Sequence, residues 1–212
     1  MAQEPRLPDR SQDPASRQLA ALRDFFWGPD AGALEAAAAE LGRALAQTPP
    51  PEDWPAAEYA FNRLFVGPAS PQAPPYASYY LENPPRLLGR PALEARHVYQ
   101  MAGLVPALGE NLPDDHLCLE LDAAYQLRHA ALTSGQPDLA HLYAFFLIDH
   151  LALWTPPFVR RLLEQPACGA SFSWAARSLE NWLEEECAWL HPPRNLSRSQ
   201  VGAGSPPSSA WR

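Results

Sequence analysis

Apolar residues recur along this chain at helical spacing, and prolines mark where most of the runs begin. Asp13-Pro14 pairs an N-cap aspartate with a proline at the first helical position, opening SRQLAALRDFFW, which ends at Gly28-Pro29. AGALEAAAAELGRALAQ, residues 31–47, is dominated by alanine, the strongest helix former. PPPEDW opens a third helix running to about Val66, with Trp54, Phe61, Leu64 and Phe65 on or near one face, and Gly67-Pro68 stops it. Residues 69–90 form a proline-rich connection without periodicity. Pro91 opens PALEARHVYQMAGL, and Asn111 caps a helix from Pro113 to about Thr133. Pro137 opens DLAHLYAFFLIDHLALW, Thr155 caps PPFVRRLLEQ, and GASFSWAARSLENWLEEECAWL supplies the last helix. No window alternates in the manner of a strand. The pattern predicts an all-α fold, a single-domain helical bundle over residues 13–190. Residues 1–12 read as a flexible N-terminus, and residues 191–212, poor in aliphatics and rich in Pro, Ser and Gly, as a disordered tail.

Composition narrows the function. Hydrophobic residues make up 47% of 212, enough for a substantial core. The net charge of −8 argues against nucleic acid, which asks for a basic face, and favours the approach of a cationic partner. Cys118, Cys168 and Cys187 have no motif spacing and read as buried free thiols of a reducing compartment. The opening MAQEPRLPDRSQDP lacks the apolar core of a signal peptide. The longest apolar run, LYAFFLI, stops at Asp149, short of the roughly 20 residues of a membrane span. The expected location is the cytoplasm.

The stretch LPDDHLCLEL, residues 112–121, looks catalytic at first sight. On a helix from Pro113, His116 and Glu120 share a face, and such a pair serves acid–base chemistry or contributes two metal ligands. Cys118 points away from both, and neither HExxH nor CxxC is present. Asp114 and Asp115 would sit in the first turn, where the helix dipole favours negative charge. Beside an exposed imidazole they would also form a dock for an arginine-bearing peptide. His97, His129, His141 and His150 stand singly in helical runs. There is no GxxxxGK[ST] and no GxGxxG, and neither Ser78 nor Ser171 sits in a GxSxG elbow. Neither an enzyme nor a cofactor is expected.

FNRLFVGPASPQAPPYASYY, residues 61–80, carries rings on a proline-stiffened backbone. Long irregular connections in compact domains are often functional, and apolar surface that is already stiff suits a peptide groove.

Three blocks, in order, resemble the TorD/DmsD family of redox-enzyme maturation chaperones. EYAFNRLFVGP, 58–68, is similar to that family's E-Y-x-x-L-F-x-G-P block. APPYASYYLE, 73–82, is similar to its P-P-(aromatic)-x-S-x-(aromatic)-L-(acidic) block, and LPDDHLCLEL to its E-P-x-D-H-x-x-x-x-L block. Tyr99 with Gly103-Leu104, and HLALWTPPF at 150–158, are weaker echoes. The chain departs from the pattern at Ala69, Leu112 and the Phe172-Ser173 pair. The resemblance implies a cytoplasmic, all-helical chaperone that binds the twin-arginine signal peptide of a molybdopterin oxidoreductase catalytic subunit. It would hold that apoenzyme until cofactor insertion. Phe61, Leu64, Phe65, Gly67, Pro68, Pro75, Tyr76 and Ser78 would supply the apolar peptide-binding surface, and Asp115 and His116 stand where the family's peptide-binding Asp-His stands. Two rivals stand beside this reading: a chaperone of a non-exported molybdoenzyme subunit of the nitrate reductase type, and a helical hydrolase using Asp115, His116 and Glu120. The long 69–90 connection also permits helix exchange into a homodimer.

Overall fold

The computed structural model describes residues 13–28, 30–68, 70–105 and 112–190. The helices are α1 (Pro14–Trp27), α2 (Ala31–Leu45), α3 (Trp54–Phe61), α4 (Ala77–Leu81), α5 (Arg90–Ala102), α6 (Leu117–Thr133), α7 (Pro137–Phe146), α8 (Ala152–Leu163) and α9 (Ala170–Leu190). α3 continues into a π-helical turn, Asn62–Val66, and a second π turn, Leu147–Leu151, joins α7 to α8. Among the described residues no strand forms, and the all-α expectation holds. The expectations for 1–12, 191–212 and the Asn111 cap lie outside the described residues.

The helix starts follow local chemistry. Asp13 accepts a hydrogen bond from the Ser16 N–H at 2.8 Å, Asp30 from Ala33 at 2.9 Å and Asp53 from Ala56 at 3.2 Å. Each cap satisfies a backbone donor that the first helical turn leaves free. The apolar faces meet in one core. Phe26 and Phe65 lie edge-to-face at 6.0 Å, Phe61 and Phe65 at 5.0 Å, and Phe25 meets Phe172 at 5.6 Å. With Phe158, which meets Phe26 at 5.9 Å, these rings draw α1, α3, α8 and α9 around one centre, where ring pairs add to the area they bury.

Three expectations need correction. The helix predicted from Pro113 begins at Leu117, because residues 113–116 fold as a turn closed by the His116 N–H on the Pro113 carbonyl at 3.0 Å. Thr155 does not start a helix. It is buried inside one continuous run, Pro137–Leu163, despite Pro156 and Pro157. Interior prolines disfavour a helix by roughly 3 kcal/mol each, and the buried Trp154, Phe158, Val159 and Leu162 outweigh them at roughly 1.5–3 kcal/mol for each large side chain. This run is long and apolar enough to cross a membrane, with a hydropathy of 1.3, yet 50% of that window is buried in the fold, as a core helix is. The cysteines are all free, but only Cys118 is fully buried; Cys168 and Cys187 are half-buried.

A polar cluster ties the bundle at one end. The Arg128 guanidinium is buried and donates to Glu186 at 2.7 Å, Asp13 at 3.0 Å and the Ser16 hydroxyl at 2.6 Å, while the Tyr143 hydroxyl donates to Glu186 at 2.9 Å. Removing one member strands the opposite charge. Arg128→Met is expected to lower unfolding free energy by about 3–5 kcal/mol in urea titrations. The double change Arg128→Met with Glu186→Leu is expected to recover part of that loss.

Candidate functional site

The site is built on two chain segments that meet without forming a sheet. Tyr76 and His116 make a single antiparallel bridge. The Ala77 N–H donates to the Asp115 carbonyl at 3.1 Å, and the Leu117 N–H to the Pro75 carbonyl at 2.9 Å. The Asp115 carboxylate then caps the short α4: its Oδ2 accepts the Ser78 N–H at 2.7 Å and also the Ser78 hydroxyl. A helix of five residues has no stability of its own, so α4 depends on this cap and on its packing against α8. The segment before α4 is held as firmly. The Gln72 and Ala73 N–H groups take the Arg63 and Leu64 carbonyls at 3.2 and 2.8 Å, at the end of the first π turn. Gly67 closes that turn at φ 113°, a backbone angle that suits glycine, and so permits the reversal into residues 70–75.

Between the end of α1, the first π turn and residues 70–79 lies an apolar furrow of about 630 Å³. Phe26, Trp27, Phe61, Phe65 and Val66 form one side, and Pro71, Pro74, Tyr76 and Tyr79 the other. Leu87, Leu112 and His116 complete it. The His116 ring meets Tyr76 edge-to-face at 5.0 Å. Its Nδ1 accepts the Cys118 N–H at 3.2 Å, which leaves the ring proton on Nε2. Burial lowers its pKa to about 4, so the ring is neutral at pH 7.

The predicted residues separate into wall and frame. Phe61, Phe65, Tyr76 and His116 line the furrow, although both phenylalanines are mostly interior. Leu64, Pro75 and Ser78 are buried behind it, Gly67 turns the chain, and Pro68 is exposed away from it. Asp115 is fully buried and committed to Ser78, with Oδ1 meeting no protein donor. Asp114 pairs with Arg96 at 2.7 Å. The expected cradle of two open carboxylates beside an exposed imidazole is therefore replaced by one closed carboxylate, one paired carboxylate and a neutral, largely buried ring. Trp27, Val66, Tyr79 and Leu87 were not predicted. Val66 and Leu87, exposed yet apolar at the two edges of the Gly-Pro and proline-rich stretches, were the available signal.

Glu120 does not join His116. It lies in the core, accepting from Trp154 Nε1 at 2.8 Å and facing His150 Nε2 at 2.6 Å. Burial pushes the Glu120 carboxyl up; burial pulls the His150 pKa down, but Glu120, with Glu94 and Asp115, together raise it more. His150, expected to stand alone, is thus a buried partner. Asp115, His116 and Glu120 assemble no catalytic group, and among the described residues no cluster of three His, Cys, Asp or Glu is arranged for a metal.

The fold resembles that of a protein from Archaeoglobus fulgidus described as a redox enzyme maturation protein, whose crystal structure superposes with a TM-score of 0.52 at 23% identity, covering 81% of this chain and 93% of that one. The nitrate reductase delta subunit family matches residues 28–160, and the chain belongs to it, the family of the TorD and DmsD maturation chaperones. The chain is 31% identical over 137 residues to the chaperone protein TorD of Vibrio cholerae, covering 59% of this chain and 58% of that one. It is 29% identical over 102 residues to a protein of Haemophilus influenzae named as a Tat proofreading chaperone, DmsD, covering 48% and 46%. The chain spans about half the length of these relatives. The family is one of maturation chaperones, not enzymes.

The neutral His116 gives a pH signature. Between about pH 4 and 6.5 the unfolded chain binds a proton that the folded chain refuses, so stability falls as pH drops through that window. The loss attributable to this ring is on the order of 3 kcal/mol at most. His116→Gln keeps an acceptor for the Cys118 N–H. It is expected to flatten this part of the pH–stability curve relative to wild type, measured by urea unfolding from pH 7 to 4.

Proposed function

We propose that the furrow binds the N-terminal leader of a redox enzyme's catalytic subunit in the cytoplasm, and that the protein holds the apoenzyme until its molybdopterin cofactor is inserted. The leader this favours is a twin-arginine signal peptide, whose apolar stretch fits a ring-lined trough. The observation that carries the reading is the furrow itself: an accessible apolar channel of about 630 Å³ whose far wall is held open by the Asp115–Ser78 cap.

Magnitudes agree with a chaperone's task. Burying about four aliphatic side chains yields roughly 6–12 kcal/mol gross at about 1.5–3 each. Association and ordering oppose this with about 4–15 kcal/mol. The balance is an affinity near micromolar, weak enough for release. The net charge of −8 speeds the approach of a basic leader without a dedicated carboxylate in the trough.

A second reading has one observation in its favour. The matching family takes its description from the nitrate reductase delta subunit, and a chaperone of that type would serve a client without an export signal. Calorimetry with a twin-arginine signal peptide and with its Lys-Lys counterpart separates the two: indifference to the arginines favours the non-exported client. Val66 and Leu87 are 61% and 56% exposed, so changing them spares the core. Val66→Asp and Leu87→Asp are each expected to weaken peptide binding about tenfold or more while leaving the circular dichroism spectrum intact. Unchanged affinity in both overturns the furrow as the site.

A further inference from the structure

Beyond Tyr79 the furrow borders a second recess of about 410 Å³, between α4 with its following turn and the end of α8. Tyr79 lines both. The recess carries an adjacent arginine pair, Arg160 and Arg161, on a chain whose net charge is −8. Among the described residues neither arginine has a carboxylate within ion-pair distance.

The last turn of a helix favours cations, which accounts for arginines at this position. It does not account for how Arg161 is held. Its Nε donates to the Gln72 carbonyl at 2.6 Å, outside the helix, and its guanidinium lies over the Tyr79 ring at 5.3 Å. Those contacts fix the plane of the fork and leave its terminal nitrogens without an acidic partner. A guanidinium anchored through Nε and a ring face is ready to meet a planar anion end-on. Beside it, the Tyr80 hydroxyl is buried with no partner, its ring stacked at 5.9 Å on Trp154. Glu82, one of two carboxylates in the recess, is occupied by Arg86 at 2.7 Å and by the Arg90 N–H at 2.8 Å. Glu164 lies exposed at the rim.

We propose that this recess receives a carboxylate side chain of the polypeptide bound in the furrow, so that the preferred client segment carries an aspartate or glutamate flanking its apolar stretch. This rests on the furrow binding a polypeptide. It adds a charge requirement that the furrow, which has no carboxylate or guanidinium in its lining, does not impose.

The test uses the full chain and two probes. One is a fluorescein-labelled synthetic peptide with an Arg-Arg head, a leucine–alanine stretch and an Ala-Asp-Ala tail, beside its Ala-Asn-Ala counterpart. The other is acetyl-Ala-Asp-Ala-amide, followed by the arginine Nε–H resonances. Asn for Asp is expected to weaken binding to wild type roughly tenfold, the scale of a hydrogen bond to a charged group. The double variant Arg160→Gln with Arg161→Lys is expected to bind both long peptides equally. Discrimination that survives in the double variant overturns the proposal. So does equal binding of both peptides to wild type with an unmoved Arg161 resonance. If the long peptides fail to bind and the short acidic one shifts Arg161, the furrow reading falls and the recess stands. If nothing binds and nothing shifts, both fall.

Discussion

One buried carboxylate holds the walls of the furrow together. Asp115 gives its carbonyl to Ala77 and its Oδ2 to Ser78, joining two segments that lie far apart in sequence. Neither segment is long enough to stand alone: one is a turn, the other a helix of five residues. A charged acceptor bound to backbone and hydroxyl donors, away from water, is worth more than a neutral pair, and losing it would leave the Ser78 donors stranded. The consequences run outward. The cap orients α4, α4 positions Tyr79 and Tyr80, and those rings form one side of the furrow and the floor of the recess beyond it. The charge is felt nearby as well. Burial first, and then Asp115, push the Tyr76 phenol up, which keeps it neutral at the furrow wall.

The same contact explains where reading the sequence succeeded and where it failed. Helices whose starts are set locally, as at Asp13-Pro14, were legible, because cap and proline act within one turn. Asp114 and Asp115 invited a local explanation too, the first turn of a helix. A long-range pairing overrode it, and a bridge of a single residue pair leaves no periodic trace in sequence. Glu120 shows the same limit. Its partners His150 and Trp154 are spaced four apart on a helix and are legible as one face, yet nothing in the spacing says which acid that face meets. Phe61, Leu64 and Phe65 make a helical stripe, and a stripe reads alike whether it faces a core or a groove. Here it faces the core, and Phe61 and Phe65 also line the groove.

Prolines keep the furrow from closing over itself. Pro71, Pro74 and Pro75 have no N–H, so residues 70–75 cannot be recruited into a longer ladder against the bridge segment. Their fixed φ also means that little backbone freedom remains to be lost when a ligand arrives. Of the three donors that the segment does have, those on Gln72 and Ala73 are already spent on the π turn. An apolar channel therefore stays exposed at small entropic cost, where a glycine-rich loop would collapse into it.

The distribution of charge around this channel gives it a direction. At the bridge end His116 is neutral and Asp114 is cancelled by Arg96, so that end offers a long apolar wall and little field. At the Tyr79 end stand two arginines without carboxylate partners among the described residues, one of them locked in place. A ligand with paired arginines at its head is repelled from that end at close range, where screening by salt is incomplete. On the proposed reading its basic head would be directed toward the bridge and its trailing residues toward α8. Orientation would then arise from a positive group at one part of the channel, with no acidic group needed at the other. On that reading a carboxylate as deeply buried as Asp115 serves the furrow by shaping it, its Oδ2 already spent on Ser78.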